Sequence, residues 1–167
     1  IVDHYLKYEF HPIVSLLQTF CSEELGAFYL DILKDRLYTT AENSLARRSA
    51  QTALWHITDA LLKLMAPILS FTADEAWPVF APERCREPGA SIQEELFHVF
   101  PELPDAEALD ARWGLIRKAR AQVQAYLESQ LRERGEIGSS LQAEVALTAP
   151  AGELHDALAS LEDDLRF

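Results

Sequence analysis

One segment of this chain leaves little freedom in what it can become. From Ser44 onward, Ala50, Leu54, Ile57, Leu61, Leu64 and Ile68 follow at steps of 4, 3, 4, 3 and 4. That spacing lines apolar side chains along one side of a 3.6-residue helix, and such a stripe must be buried against another element. Asn43 or Ser44 can cap the first free backbone N–H groups. On the opposite side Arg48, Thr52, His56, Asp59 and Lys63 recur at the same steps and form a polar ridge headed by an arginine. Pro67 removes a helical hydrogen bond, which predicts an ending or kink near Met65. "TADE" at 72–75 fits a capping box, Thr72 with Glu75, opening a short helix through Trp77.

The flanking segments extend the helical pattern. Phe10, Ile13, Leu17 and Phe20 or Cys21 mark a helix that starts before residue 1, and Leu25, Phe28, Tyr29, Ile32 and Leu33 mark a second that ends near Tyr38. Residues 1–80 are therefore expected to form a helical bundle. Five of the eight prolines, Pro78, Pro82, Pro88, Pro101 and Pro104, fall within or just before the acidic stretch that follows. Their fixed φ and missing N–H groups argue against continuous helix, so residues 81–110 read as a wrapping connector. Asp110 can cap a helix over 111–135 whose Trp113, Ile116, Val123, Leu127 and Leu131 share a face, with Gly135 as its left-handed stop. After it, Leu141, Ala143, Val145 and Leu147 alternate with more polar residues at the period of a half-buried strand. Leu154, Leu158, Leu161 and Leu165 then describe a short helix. Residues 136–167 thus read as a small, truncated α/β piece, in a chain that is otherwise mainly α.

Charge narrows the choice of partners. The formal net charge is -12, but its distribution is uneven. Lys and Arg against Asp and Glu number 6 against 10 over residues 1–80, 2 against 8 over 81–110, 6 against 2 over 111–134 and 1 against 7 over 135–167. A polyanion is repelled by most of this surface, so indiscriminate DNA binding is disfavoured and any nucleic-acid contact is confined to small basic islands. Cys21 and Cys85 lie far apart without a CxxC, and no zinc or disulfide framework is readable, which fits a cytoplasmic setting. No apolar run is long enough to span a bilayer, and the opening "IVDHYLKYEF" has neither the features of a signal peptide nor an initiator Met. The chain reads as a piece of a longer one.

Three segments carry a resemblance. "FCSEELGAFYLDILKDRLYT", "SLARRSAQTALWHITDALLKLMAPILSFTADEAW" and "GEIGSSLQAEVAL" resemble, in that order, the C-terminal region of bacterial isoleucyl-tRNA synthetases. The RRSxQ helix start followed by LxxLMAPILSFTADExW is shared by the class Ia synthetases for isoleucine, valine and leucine and marks their helical anticodon-binding domain. "FYLDILKDRLY" is similar to the isoleucine enzymes; the valine enzymes are the nearest alternative. The resemblance implies a helical anticodon-binding bundle that holds an isoleucine tRNA while the rest of the synthetase chain performs ATP-dependent aminoacylation. It also implies ATP with Mg, and a C-terminal zinc module, in the parent enzyme. None of these would be held by this chain, which has no HIGH-type or KMSKS-type motif and no Gly-rich phosphate loop. Read from net charge alone, a helical protein-interaction module is the competing reading.

No residue reads as catalytic and none as a metal ligand. Arg48 and Arg47, at a helix start, suit phosphate oxygens through their N–H forks and the positive end of the helix dipole. The alternative is intramolecular pairing with Glu42. Lys34 and Arg36, with Tyr38 for a stacked base, could extend the island, or could pair with Asp31 and Asp35 instead. Arg112, Arg117, Lys118, Arg132 and Arg134 offer a weaker basic strip. Arg120 projects from the apolar side of its helix and requires a carboxylate or carbonyl partner, a structural role. Trp55, Trp77 and Trp113 sit at packing positions, His56 and His98 read as isolated structural or surface groups, and Glu94–Glu95 and Asp163–Asp164 as solvated charge.

Overall fold

The computed structural model describes residues 1–87, 89–135, 137–139 and 142–161; for Arg132 only the backbone is described. It divides into two compact units, Ile1–Pro101 and Glu102–Phe167. The boundary falls inside the segment 81–110 that the sequence marks as a connector.

The first unit opens with α1 (Val2–Leu6) and α2 (Phe10–Thr19). The sequence predicts one helix running through this region, but the chain breaks at Lys7–Glu9. Tyr8 takes a left-handed φ of 59°, and Glu9 closes the corner by donating its N–H to the His4 carbonyl (2.9 Å) and holding the His4 ring through its carboxylate (2.7 Å). Tyr5 anchors α1, donating its hydroxyl to the Leu64 carbonyl at 2.6 Å and stacking on Phe97. Beyond Thr19 the helix does not end. It widens into a π-helical stretch, Phe20–Leu30, and tightens again as α3 (Asp31–Tyr38), so the two predicted helices form one rod that ends at the expected Tyr38. Glycine is needed in the widened part: a Cβ on Gly26 would lie 2.9 Å from the Cys21 carbonyl oxygen.

α4 (Leu45–Met65) is the predicted long helix. Ser44 caps it by accepting the Arg47 N–H at 3.2 Å, and it stops at Met65, two residues before Pro67. α5 (Ser70–Phe80) begins three residues earlier than the Thr72–Glu75 capping box suggests and carries no side-chain cap. Between them lies the core. Ala66, Ala73 and Ala81 leave a slot that the Trp77 indole fills, 1 % exposed, and Ile92 of the connector closes it. The small residues matter as much as the large one, because only methyl-sized neighbours on both helices admit a whole indole.

The connector is ordered by polar bonds to the helices it crosses. Short 3-10 turns at Pro82–Arg84 and Ile92–Glu94 replace helix where prolines forbid it. Asp74 of α5 accepts from the Ser91 hydroxyl (2.6 Å) and the Ile92 N–H (3.3 Å), and the Gln93 amide donates to the Ala66 carbonyl left open at the end of α4 (3.2 Å).

In the second unit, α6 (Ala106–Tyr126) starts at Asp105 (φ 59°), so the predicted cap Asp110 lies inside the helix. Its Ile116, Ala119 and Val123 are buried, and it passes into a π-helical end, Leu127–Arg132, whose Leu127 is also buried, before Gly135 at φ 74°. α7 (Glu153–Ala159) packs on α6. Residues 143–150, which include most of the alternating segment, form neither helix nor strand, and the α/β piece is not formed among the described residues. The physical reason is that no second strand stands among the described residues to complete a ladder. Leu141 and Leu165 lie outside the described residues.

Two outcomes are expected. Trp77→Ala should cost about 3–5 kcal/mol in urea unfolding of the chain, as an indole-sized hole cannot be closed by rigid alanine-lined helices. Amides of 142–148 should exchange with almost no protection while those of Leu54–Leu64 exchange slowly; equal protection would show that a ladder forms there.

Candidate nucleic-acid interface

The turn between α3 and α4 is built from hydroxyls. Thr40 donates to the Arg36 carbonyl, Ser44 donates to the Thr40 hydroxyl (3.1 Å), and the Arg47 N–H donates to Ser44. This chain of bonds runs from the last turn of α3 to the first turn of α4, and the two helices pack together. It sets Lys34, Arg36 and Tyr38 at one side of the turn and Arg47 and Arg48 at the other.

The five predicted residues differ in availability. Arg48 is exposed and, among the described residues, pairs with no acid; Glu42, the predicted competitor, bonds to neither arginine. Arg47 is half-buried, with its Nε out of contact with water. Lys34 is exposed and holds Asp31 at 2.9 Å, the predicted local pair, and an exposed bond of this kind is worth about 0–1 kcal/mol. Arg36 is half-buried beside Tyr29, where its charge partly offsets the upward push that burial gives the Tyr29 hydroxyl. Tyr38 stands 81 % exposed at the helix end. An open aromatic ring beside cations is a surface on which a base can stack while phosphates take the charges.

Toward the other end of α4 lies a cluster that sequence reasoning missed. Asp59 and Lys63, which read as part of a polar ridge, are buried at 1 % and 8 % exposure. The Asp59 carboxylate accepts from Lys63 (3.1 Å), Arg84 (3.2 Å) and the His98 Nδ1–H (2.6 Å). Glu95 meets the same two cations, Lys63 at 3.3 Å and Arg84 at 3.5 Å, which closes a ring of alternating charge. Glu95 is therefore no solvated surface acid. Lys63 and Arg84 each lie 5.5 Å from the Trp77 ring, and Arg84 lies 5.8 Å from Trp55. His56 and His98, which read as isolated, meet at 3.0 Å. The i, i+4 spacing of Asp59 and Lys63 is the one available signal, but their partners lie 25 or more residues away along the chain.

Burial pushes the Asp59 carboxyl up, but hydrogen bonds from Lys63 and His98 and the charges of Lys63 and Arg84 overcome it and hold the group below the usual carboxylate range.

Of the other predicted residues, Trp77 is the core indole and Trp113 is half-buried on α6. Arg120 is half-buried and donates to the side-chain amide of Gln124. Arg112, Arg117 and Lys118 are exposed, and Arg134 donates to Gln130. Among the described residues no group of His, Cys, Asp and Glu could hold a metal ion, and no helix is long and apolar enough to cross a membrane.

The helical bundle and its cationic turn define a class. Residues 1–147 match the family of the anticodon-binding domain of tRNA ligase, and the chain belongs to that family. Over its whole length it is 62 % identical to an isoleucine–tRNA ligase of Bordetella parapertussis, 59 % to one of Paraburkholderia phytofirmans and 56 % to isoleucine–tRNA ligase 1 of Burkholderia mallei. It spans only 17–18 % of the length of the first two relatives. No solved structure matches it.

Because the Asp59 carboxyl is held low when folded, its contribution to stability is complete above the unfolded value of about 3.9 and is lost as pH falls through the folded value. Asp59→Asn should cost about 3–5 kcal/mol at pH 7, since it leaves buried Lys63 facing an amide. Measured by urea unfolding, the variant should also lose part of the wild type's acid-side decline below about pH 4.

Proposed function

We propose that this chain is the tRNA-binding region of an isoleucine–tRNA ligase, holding the anticodon stem-loop of isoleucine tRNA while a catalytic domain elsewhere in the parent chain performs ATP-dependent aminoacylation in the cytoplasm. The parent would use ATP with Mg and a C-terminal zinc module, none of them bound by these residues. What carries the reading is identity of 56–62 % along the entire chain to ligases of that specificity, rather than similarity confined to a helical scaffold motif. The exposed, acid-free Arg48 and the open Tyr38 ring support it. In this reading Arg48 contacts loop phosphates, with Lys34, Arg36 and Arg47 adding charge and Tyr38 stacking an unpaired base. The acidic stretches 81–110 and 135–167 repel nucleic acid and disfavour contacts there, leaving the basic strip on 111–134 as the weaker alternative to this edge.

Arg48→Glu should weaken binding of isoleucine tRNA by the chain and reduce the slope of log affinity against log salt by roughly 0.7–0.9 for each phosphate that is no longer neutralised. Thermal unfolding should hardly move, because only an exposed side chain is changed. Equal affinity and equal slope for wild type and variant would remove the arginine from the RNA site.

A further inference from the structure

Asp59, His98 and His56 form a row of three titratable groups with spacings of 2.6 and 3.0 Å. An ionised Asp59 can only accept, so the hydrogen in the first bond sits on His98 Nδ1. The second bond has room for one hydrogen between His98 Nε2 and His56 Nδ1. With both rings neutral, it is carried by His56 Nδ1 and points at the bare His98 Nε2. One added proton fits without breaking anything: His98 then carries both N–H groups, and His56 moves its hydrogen to Nε2 and accepts at Nδ1. The carboxylate and the imidazolium it now faces strengthen their bond. A second proton has nowhere to go but His56 Nδ1, where two N–H groups of two cationic rings would confront each other at 3.0 Å.

The side chains around the pair offer no carboxylate to balance that second charge. α4 contributes Trp55, Asp59 and Lys63 around the pair, the turn after α5 contributes Arg84, the connector contributes Glu95 and Phe100, and Phe80 of α5 stacks on Trp55. The carboxylates of Asp59 and Glu95 are already shared between Lys63 and Arg84. No unengaged acid among these residues faces a second imidazolium.

We propose that His56 and His98 form a proton-counting latch, in which residues 98–101 stay seated on α4 with no added proton or one and lift away when the second arrives. Upstream, Phe97 is held separately by its stack on Tyr5 and Glu95 by the charge ring, so release is confined to the last residues of the first unit.

The test is a pH titration of the whole chain from 8 to 4.5, following both imidazoles by long-range proton–nitrogen NMR together with nuclear Overhauser signals from Phe100 to His56 and from His98 to Trp55. The expected result is two separated protonation steps, with both signals present through the first and gone after the second. His56→Asn places an amide where Nδ1 was, able to donate or accept, and should keep the His98–Trp55 signal across the whole range. Signals that survive when both rings are charged, signals that vanish in the first step, or a variant that releases at the wild-type pH would each overturn the latch. If the variant fails to fold, the wild-type titration decides alone.

Discussion

The buried carboxylate of Asp59 is the constraint around which the first unit is arranged. An ion at 1 % exposure is tolerable only with its lone pairs occupied, and the donors come from three places: Lys63 one turn on, Arg84 in the turn after α5, and His98 at the far end of the connector. Satisfying one group therefore fixes α4, the exit of α5 and the path of a Pro-rich segment that could make no ladder or helix of its own. Glu95 balances the charge, and the two cations lie against the faces of Trp55 and Trp77, tying the polar ring to the apolar core. Such a ring adds less to net stability than its short distances suggest, because desolvation offsets much of the attraction. Its main consequence is that alternative paths for the connector leave a buried charge without partners.

The proposed function uses the opposite end of the same helix. α4 is held near its C-terminal half by the charge ring and the Trp77 slot, and its N-terminus is held by the hydroxyl-bonded turn to α3. A cation whose helix is fixed at both ends loses little further freedom on binding, and preorganisation of that kind favours affinity. Arg48 is thus presented by a rigid element, in a chain of net charge -12 whose acidic stretches repel misplaced contacts.

What is legible in the sequence is local. The stripe from Ala50 to Ile68, the Ser44 cap and the stop before Pro67 depend on residues within a turn or two of one another, and helix, cap and ending stand where expected. The rod from Phe10 to Tyr38 reads as two helices because its π-helical middle shifts the apolar repeat away from 3.6 residues. Alternation at Leu141–Leu147 suggests a strand, but a strand exists only through a partner, which pattern alone cannot supply. The charge ring is hidden for a similar reason. Asp59, Lys63 and His56 look like a solvated ridge until Arg84, Glu95 and His98 are brought across from the connector. At the candidate interface, residue types are legible in the sequence, whereas the exposure of Arg48 and Tyr38 against the half-buried Arg36 and Arg47 needs the packing of α3 on α4.

In the proposed function the cationic α3–α4 end faces RNA, and the charge ring only supports it. Backbone amide shifts of the nitrogen-15-labelled chain, recorded as the anticodon stem-loop of isoleucine tRNA is added, test that division most directly. The shifts should concentrate at residues 34–48 and be reversed by added salt, with little change at Asp59, Lys63, Arg84 and Glu95. Shifts centred on the connector or confined to Glu102–Phe167, with 34–48 silent, would contradict it.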